Sequence, residues 1–290
     1  MTENDQAARG MRLAAERPEV MPDQADERIR PVYQDVQRTL RVPFVNLIFR
    51  TLANDPDYLV PAWEQLSPVL RTRAFERAAD EIRAEALLEP VPDGSGVEWE
   101  DTGPLEKIRA FNDTIHYVLP KLLLIATAWD EGAWGGGGGD RSEIPVGIAE
   151  GTDKAPMVSS EDAPERVRRL LEREKRAHGH PLVSSYYRVL GNWPDFLEAA
   201  WTRIEPVVGS TGYRERTDAL ARLATEAVRS LPVVGEVRGA ERTPEVSDLL
   251  RAFRREFIPS MMADVALIKA LVDGEAAARR SRFSVAARAV

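Results

Sequence analysis

Asp264 is flanked at offsets of three, four and seven residues by Met261, Phe257, Ile268 and Leu271, so a helix would set its carboxylate on an apolar stripe. Buried acids are usually paired or functional. Asp264 is therefore a candidate base for activating water, with Arg50 or Arg188 as the partner it would otherwise have. A guanidinium at either arginine can hold a ligand carboxylate bidentately or bond helix-end carbonyls, and both readings stay open. There are three histidines and no cysteine, which removes disulfides, thiolate zinc sites and cysteine nucleophiles. His116 has no second histidine at a helical offset, and His178-Gly-His180 reads as a polar loop. Neither makes a metal-ligand pattern, and no metal or cofactor is expected. Asp57 and Asp195 each follow a proline, where an acid suits a helix N-terminus, and read as structural.

The elements that must position these residues are helical. Apolar spacings of three and four begin near Pro31 and recur over 58–66, 71–88, 105–131 and 257–272. No segment sustains period-two alternation, so the expected class is all-α. Shifting the chain by 138 residues lays 43–70 on 181–208 without a gap, and 12 of those 28 positions are identical. Among them are Arg50/Arg188, Asn54/Asn192, Asp57/Asp195 and Trp63/Trp201, the tryptophans reading as core. A shift of 142 lays Ile108–Phe111 on Leu250–Phe253 and Gly132 on Gly274. The expected layout is a flexible arm over 1–28, one helical repeat over 29–132, a linker over 133–163 and a second repeat over 164–290. The two repeats would form one body related by a pseudo-twofold axis, with a site where they face. Five glycines at 135–139 support the linker, because polyglycine has no side chains to anchor it. The Gly-Lys-Ser/Thr ending of a phosphate loop is missing.

The chain has 290 residues and a formal charge of −8, which disfavours nonspecific binding to nucleic acid or to an anionic membrane. The uncharged run Leu122–Trp129 falls far short of the ~20 residues a membrane helix needs. The N-terminus has Glu3 and Asp5 with no apolar stretch behind them, unlike a secretory signal, and a cytoplasmic location is expected. Only five of the basic residues are lysines. An acidic, arginine-rich surface suits a salt-rich cytoplasm, and a GC-rich genome gives the same bias. Monomer and homodimer stay open.

Several strings resemble the group I (D,L-) 2-haloacid dehalogenases. They are Leu40-Arg-Val-Pro-Phe-Val45, Tyr58-Leu with Ala62-Trp63, Pro120-Lys121-Leu-Leu-Leu-Ile125, Asn192-Trp193-Pro194 and Val272-Asp-Gly-Glu-Ala276. In order, they span the chain from about residue 31 to Phe283. The resemblance implies an all-helical fold of two pseudo-repeats, no cofactor, and direct attack of water on the halogen-bearing carbon. It also implies an aspartate base after a serine ahead of Asn-Trp-Pro, and an asparagine before Pro-Lys that orients the water. Here Ser185 matches the serine, Tyr186 stands at the aspartate position and Leu119 at the asparagine position. Phe44 matches a bulky aromatic of the family's apolar wall, and Leu47 stands where an aromatic follows three residues on.

A phenol of ordinary pKa ~10 is protonated at neutral pH and does not replace a standing carboxylate. Tyr186 and Asp264 are thus the candidates for any catalytic role, and Phe44, Leu47, Leu119, Ser185, Tyr186 and Arg188 the candidates for ligand contact. Two functions follow. One is a hydrolase of small 2-substituted carboxylic acids that uses Asp264 or a water network. The other is a non-catalytic module on the same fold, binding a small carboxylic acid or an apolar metabolite. A structural protein with a filled cavity is the third reading.

Overall fold

The computed structural model describes residues 2–286. The first repeat holds α2 (Ile29–Leu40), α3 (Leu47–Leu52), α4 (Pro56–Leu70), α5 (Arg73–Ala84) and α6 (Leu105–Glu131), preceded by α1 (Glu3–Glu16). The second holds α7 (Glu165–His178), α8 (Ser185–Leu190), α9 (Pro194–Ile204) and α10 (Thr211–Arg229). After these come α11 (Pro244–Ala252), a π-helical turn over Phe253–Phe257, α12 (Ile258–Asp273) and the short α13 (Glu275–Ala278). The only sheet among the described residues is a ribbon of two-residue strands, β1 (Ala133–Trp134) against β2 (Gly235–Glu236). The fold is all-α.

The repeat is physical down to single bonds. Helices α3 and α8 both run six residues and start 138 apart, and α4 and α9 both open on proline, whose missing N–H costs nothing in a first turn. Phe49 and Trp63 pack edge to face at 5.5 Å, and their repeat partners Tyr187 and Trp201 do the same at 5.4 Å. Asn54 donates to the carbonyls of Thr51 and Pro18, and Asn192 to those of Val189 and Pro156. Arg28 pairs with Asp57 at 2.6 Å and Arg166 with Asp195 at 2.7 Å, which leaves both acids exposed at helix N-termini.

Helices α6 and α12 fill the centre. Every residue of α6 from Thr114 to Asp130 is buried, including Lys121, which pairs with Glu76 at 2.7 Å and donates to Tyr117 at 2.6 Å. Burial raises the Glu76 carboxyl, and the Lys121 charge together with hydrogen bonds from Lys121 and Tyr117 and the Arg83 charge more than offsets it, so its pKa lies below the ordinary range. Such a pair is satisfied only as a pair, and removing one partner costs about 3–5 kcal/mol.

Two expectations give way. Residues 3–16 are not an arm: they form α1, whose Ala7, Gly10, Met11 and Ala14 are buried, with Gly10 set directly against the backbone of α11 at Asp248. The polar composition misled because only one narrow stripe of α1 is buried. The glycines after Trp134 are also held. Gly135 donates to Val228 O, and Gly136 and Gly137 to Leu231 O, while a side chain at Gly137 would collide with the Ser230 carbonyl. There glycine permits close approach of two backbones rather than free movement.

The 138-residue correspondence also reaches upstream of the helices. Val20 N–H donates to Arg50 O, and Val158 N–H to Arg188 O. Residues 18–20 and 156–158 are thus equivalent straps, each laid across the end of a six-residue helix, one within the expected arm and one within the expected linker.

Candidate functional site

A cavity of about 330 Å³ lies where the two repeats face each other. Its wall draws on repeat-related positions from both halves: Leu47 and Ser185, Ile48 and Tyr186, Phe111 and Phe253, Leu119 and Met261. Met21 and Pro22, which follow the first strap, and Pro156 and Met157 of the second also line it. The Ser184 hydroxyl caps α8 by accepting from Tyr187 N–H, which sets Ser185 and Tyr186 in the first turn and aims both at the cavity. Phe253 and Phe257 come from the π-helical turn, an irregularity that is common at functional sites.

Of the residues expected at a ligand site, Phe44, Leu47, Leu119, Ser185 and Tyr186 line this cavity. Arg188 does not. Its Nε donates to Val158 O and its Nη1 to Glu19 at 2.9 Å, so it holds a strap. The repeat partner Arg50 is the guanidinium on the cavity wall, donating to Ser185 Oγ at 2.6 Å, to Val45 O and to Glu19 at 2.7 Å. One carboxylate thus bridges the matched arginines of the two repeats.

Tyr186 stacks on Phe111 with the ring planes 15° apart and donates its hydroxyl to Asn112 Oδ1 at 2.6 Å. Burial, then the Asp264 charge, pushes the phenol well above its ordinary pKa, so it is neutral at physiological pH. Asp264 is fully buried but does not line the cavity. It accepts from Tyr187 at 2.8 Å and Tyr213 at 2.7 Å and pairs with His178 Nε2 at 2.9 Å. Its partner is therefore neither Arg50 nor Arg188, as the sequence suggested. Its carboxylate is occupied on both oxygens and stands apart from any ligand in the cavity.

The His178-Gly-His180 string is not a polar loop. Both rings are buried and stack at 5.2 Å. Burial opposes charge on His178, and Asp264 and Glu174 together more than offset it, holding the imidazolium with a pKa pushed up to about 11. Burial and the His178 charge push His180 down to about 3. His116 meets the Ala278 carbonyl at 2.8 Å, and burial followed by Arg83 lowers its pKa well below the ordinary value. Among the described residues no group of three His, Asp or Glu is placed to hold a metal ion. No described helix is long and apolar enough to cross a membrane.

Sequence reasoning missed Glu19, Asn46, Asn112 and Met157. The straps were detectable, because the same 138-residue shift pairs Pro18 and Val20 with Pro156 and Val158. Asn112 gave no such signal; only the packing of α6 on α8 places it against Tyr186.

The profile of the family described as halocarboxylic acid dehydrogenase DehI matches residues 43–187. A configuration-inverting 2-haloacid dehalogenase of Alcaligenes xylosoxydans xylosoxydans is 33% identical over 278 residues, covering 87% of this chain and 93% of the relative. The chain belongs to the 2-haloacid dehalogenase family. A second configuration-inverting relative, of Pseudomonas sp. (strain 113), is 32% identical over 238 residues, covering 76% of this chain and 77% of its own length. The (R)-2-haloacid dehalogenase of Pseudomonas putida is 30% identical over 224 residues, at 72% and 74% coverage. The family is thus wider than the D,L-acting group that the motifs suggested. A crystal structure of a D-2-haloacid dehalogenase mutant shares the fold with a TM-score of 0.78 at 24% identity, over 88% of this chain and 95% of that one. Within this dehalogenase-family fold, the two positions that the resemblance assigns to the base and the water-orienting amide both face the cavity, as Tyr186 and Leu119.

Proposed function

We propose that the chain binds a small carboxylic acid substituted at carbon 2 and does not hydrolyse it. The ligand class comes from the relatives, which are named for 2-haloacids. The observation that carries the reading is the charge on the cavity wall: it includes Arg50, which is also paired with Glu19, and the exposed Lys154, but no Asp, Glu or His. A guanidinium set among apolar residues favours an anionic ligand with an apolar body. Direct attack of water on a carbon needs a group that takes its proton, and a positioned base contributes ~10²–10⁴ in rate. Tyr186 is neutral with its hydroxyl committed to Asn112, and Asp264 is behind the wall.

The test is calorimetric titration with each enantiomer of 2-chloropropionate, alongside chloride release from the same samples. Saturable binding without chloride above background is expected. Turnover by the unaltered chain would overturn the non-catalytic assignment.

A further inference from the structure

The cavity is too large for the smallest acids of this class. Six non-hydrogen atoms, as in 2-chloropropionate, displace roughly four waters or about 120 Å³, against a cavity of about 330 Å³. The wall is mostly apolar. Phe111, Ile115, Leu119 and Leu122 line the cavity at spacings of four, four and three along α6, a wall of about 16 Å at 1.5 Å per residue. Met261 faces them from α12.

Polar groups gather at the other partner elements. Ser185 Oγ accepts from Arg50, which leaves its hydroxyl hydrogen to donate. Asn46 occupies the N-cap of α3, where its repeat partner Ser184 caps α8, yet its side chain makes no capping bond. It lines the cavity, only 9% exposed, with Oδ1 unpartnered. Forgoing a cap gives up about 1 kcal/mol, and an unpaired buried carbonyl oxygen is unfavourable unless a donor reaches it, which points Oδ1 at a hydroxyl or N–H near carbon 2 and not at the carboxylate.

We propose that the ligand is a 2-substituted carboxylic acid with an apolar tail, ten or more non-hydrogen atoms in all. Its carboxylate sits at Arg50 and the Ser185 hydroxyl, and its tail lies along the Leu119 and Leu122 wall. This rests on the carboxylate-binding reading and adds the ligand's length. Each methylene buried along that wall raises affinity about three- to fourfold until the space is filled.

The experiment is calorimetric titration of the full chain with racemic 2-chloroalkanoates of three, six, eight and ten carbons. Affinity should rise steadily from three to eight carbons. Leu119→Trp and, separately, Leu122→Phe should collapse the ratio of eight-carbon to three-carbon affinity by tenfold or more. Equal affinity for three and eight carbons would overturn the long-tail inference and leave the carboxylate reading standing. A chain-length gain that survives in a folded form of either variant would place the tail elsewhere and overturn it too. No binding of any acid, the three-carbon one included, would instead defeat the carboxylate reading itself.

Discussion

The Tyr186 hydroxyl donates to Asn112 Oδ1 at 2.6 Å across the boundary between the repeats. That bond makes the position that the resemblance assigns to the base a structural contact between α8 and α6. Asn112 is buried, so Tyr186→Phe should leave its oxygen unsatisfied and lower stability by about 1–3 kcal/mol, read as a lower Tm. Tyr186→Asp combined with Leu119→Asn should restore a carboxylate and an amide to the cavity wall and produce measurable chloride release from 2-chloropropionate. A folded double variant that binds the acid but stays inert would show that the base position is wrongly assigned to Tyr186.

The Glu174–His178–Asp264 cluster sets a pH dependence. The folded His178 pKa of about 11 lies above its ordinary 6.5, so its contribution is fully present below pH 6.5 and is lost as pH rises toward 11. Burial raises Glu174 to about 6 from 4.5, with the same sign over that lower window. His180 acts oppositely: its pKa of about 3 means that its contribution is lost as pH falls from 6.5 toward 3. Between pH 7 and 10 His178 dominates this cluster, with a slope of up to about 1.4 kcal/mol per pH unit. Urea midpoints should therefore fall more steeply over that range in the wild type than in Asp264→Asn. Parallel profiles would rule out a standing His178–Asp264 ion pair.

Gly10 separates local propensity from packing. In an exposed helix Gly→Ala gains about 1 kcal/mol. Here an added Cβ would strike the Asp248 carbonyl and the Ala252 side chain on α11. Gly10→Ala should instead destabilise by about 1–3 kcal/mol and speed proteolysis within residues 3–16. Unchanged Tm and protease resistance would mean that α1 does not pack against α11 as described.

The helical class, the internal repeat and the family were legible in the sequence. Helical periodicity is local, and a shift of 138 residues preserves residue types that make the same bonds twice, such as Asn54 and Asn192. Phe44, Leu47, Leu119, Ser185 and Tyr186 could also be named as a group, because the motifs that carry them lie on or just before helices that meet at the cavity. Only the tertiary structure decided the partners. Two arginines at matched repeat positions take different roles: Glu19 from one strap reaches both, and Met157 stands in its place on the other strap. Asp264 lay on an apolar stripe in either reading, but helical spacing says nothing about what a neighbouring helix brings to that stripe. His178 and Tyr213 arrive from α7 and α10, so the carboxylate is held behind the cavity wall instead of facing the ligand.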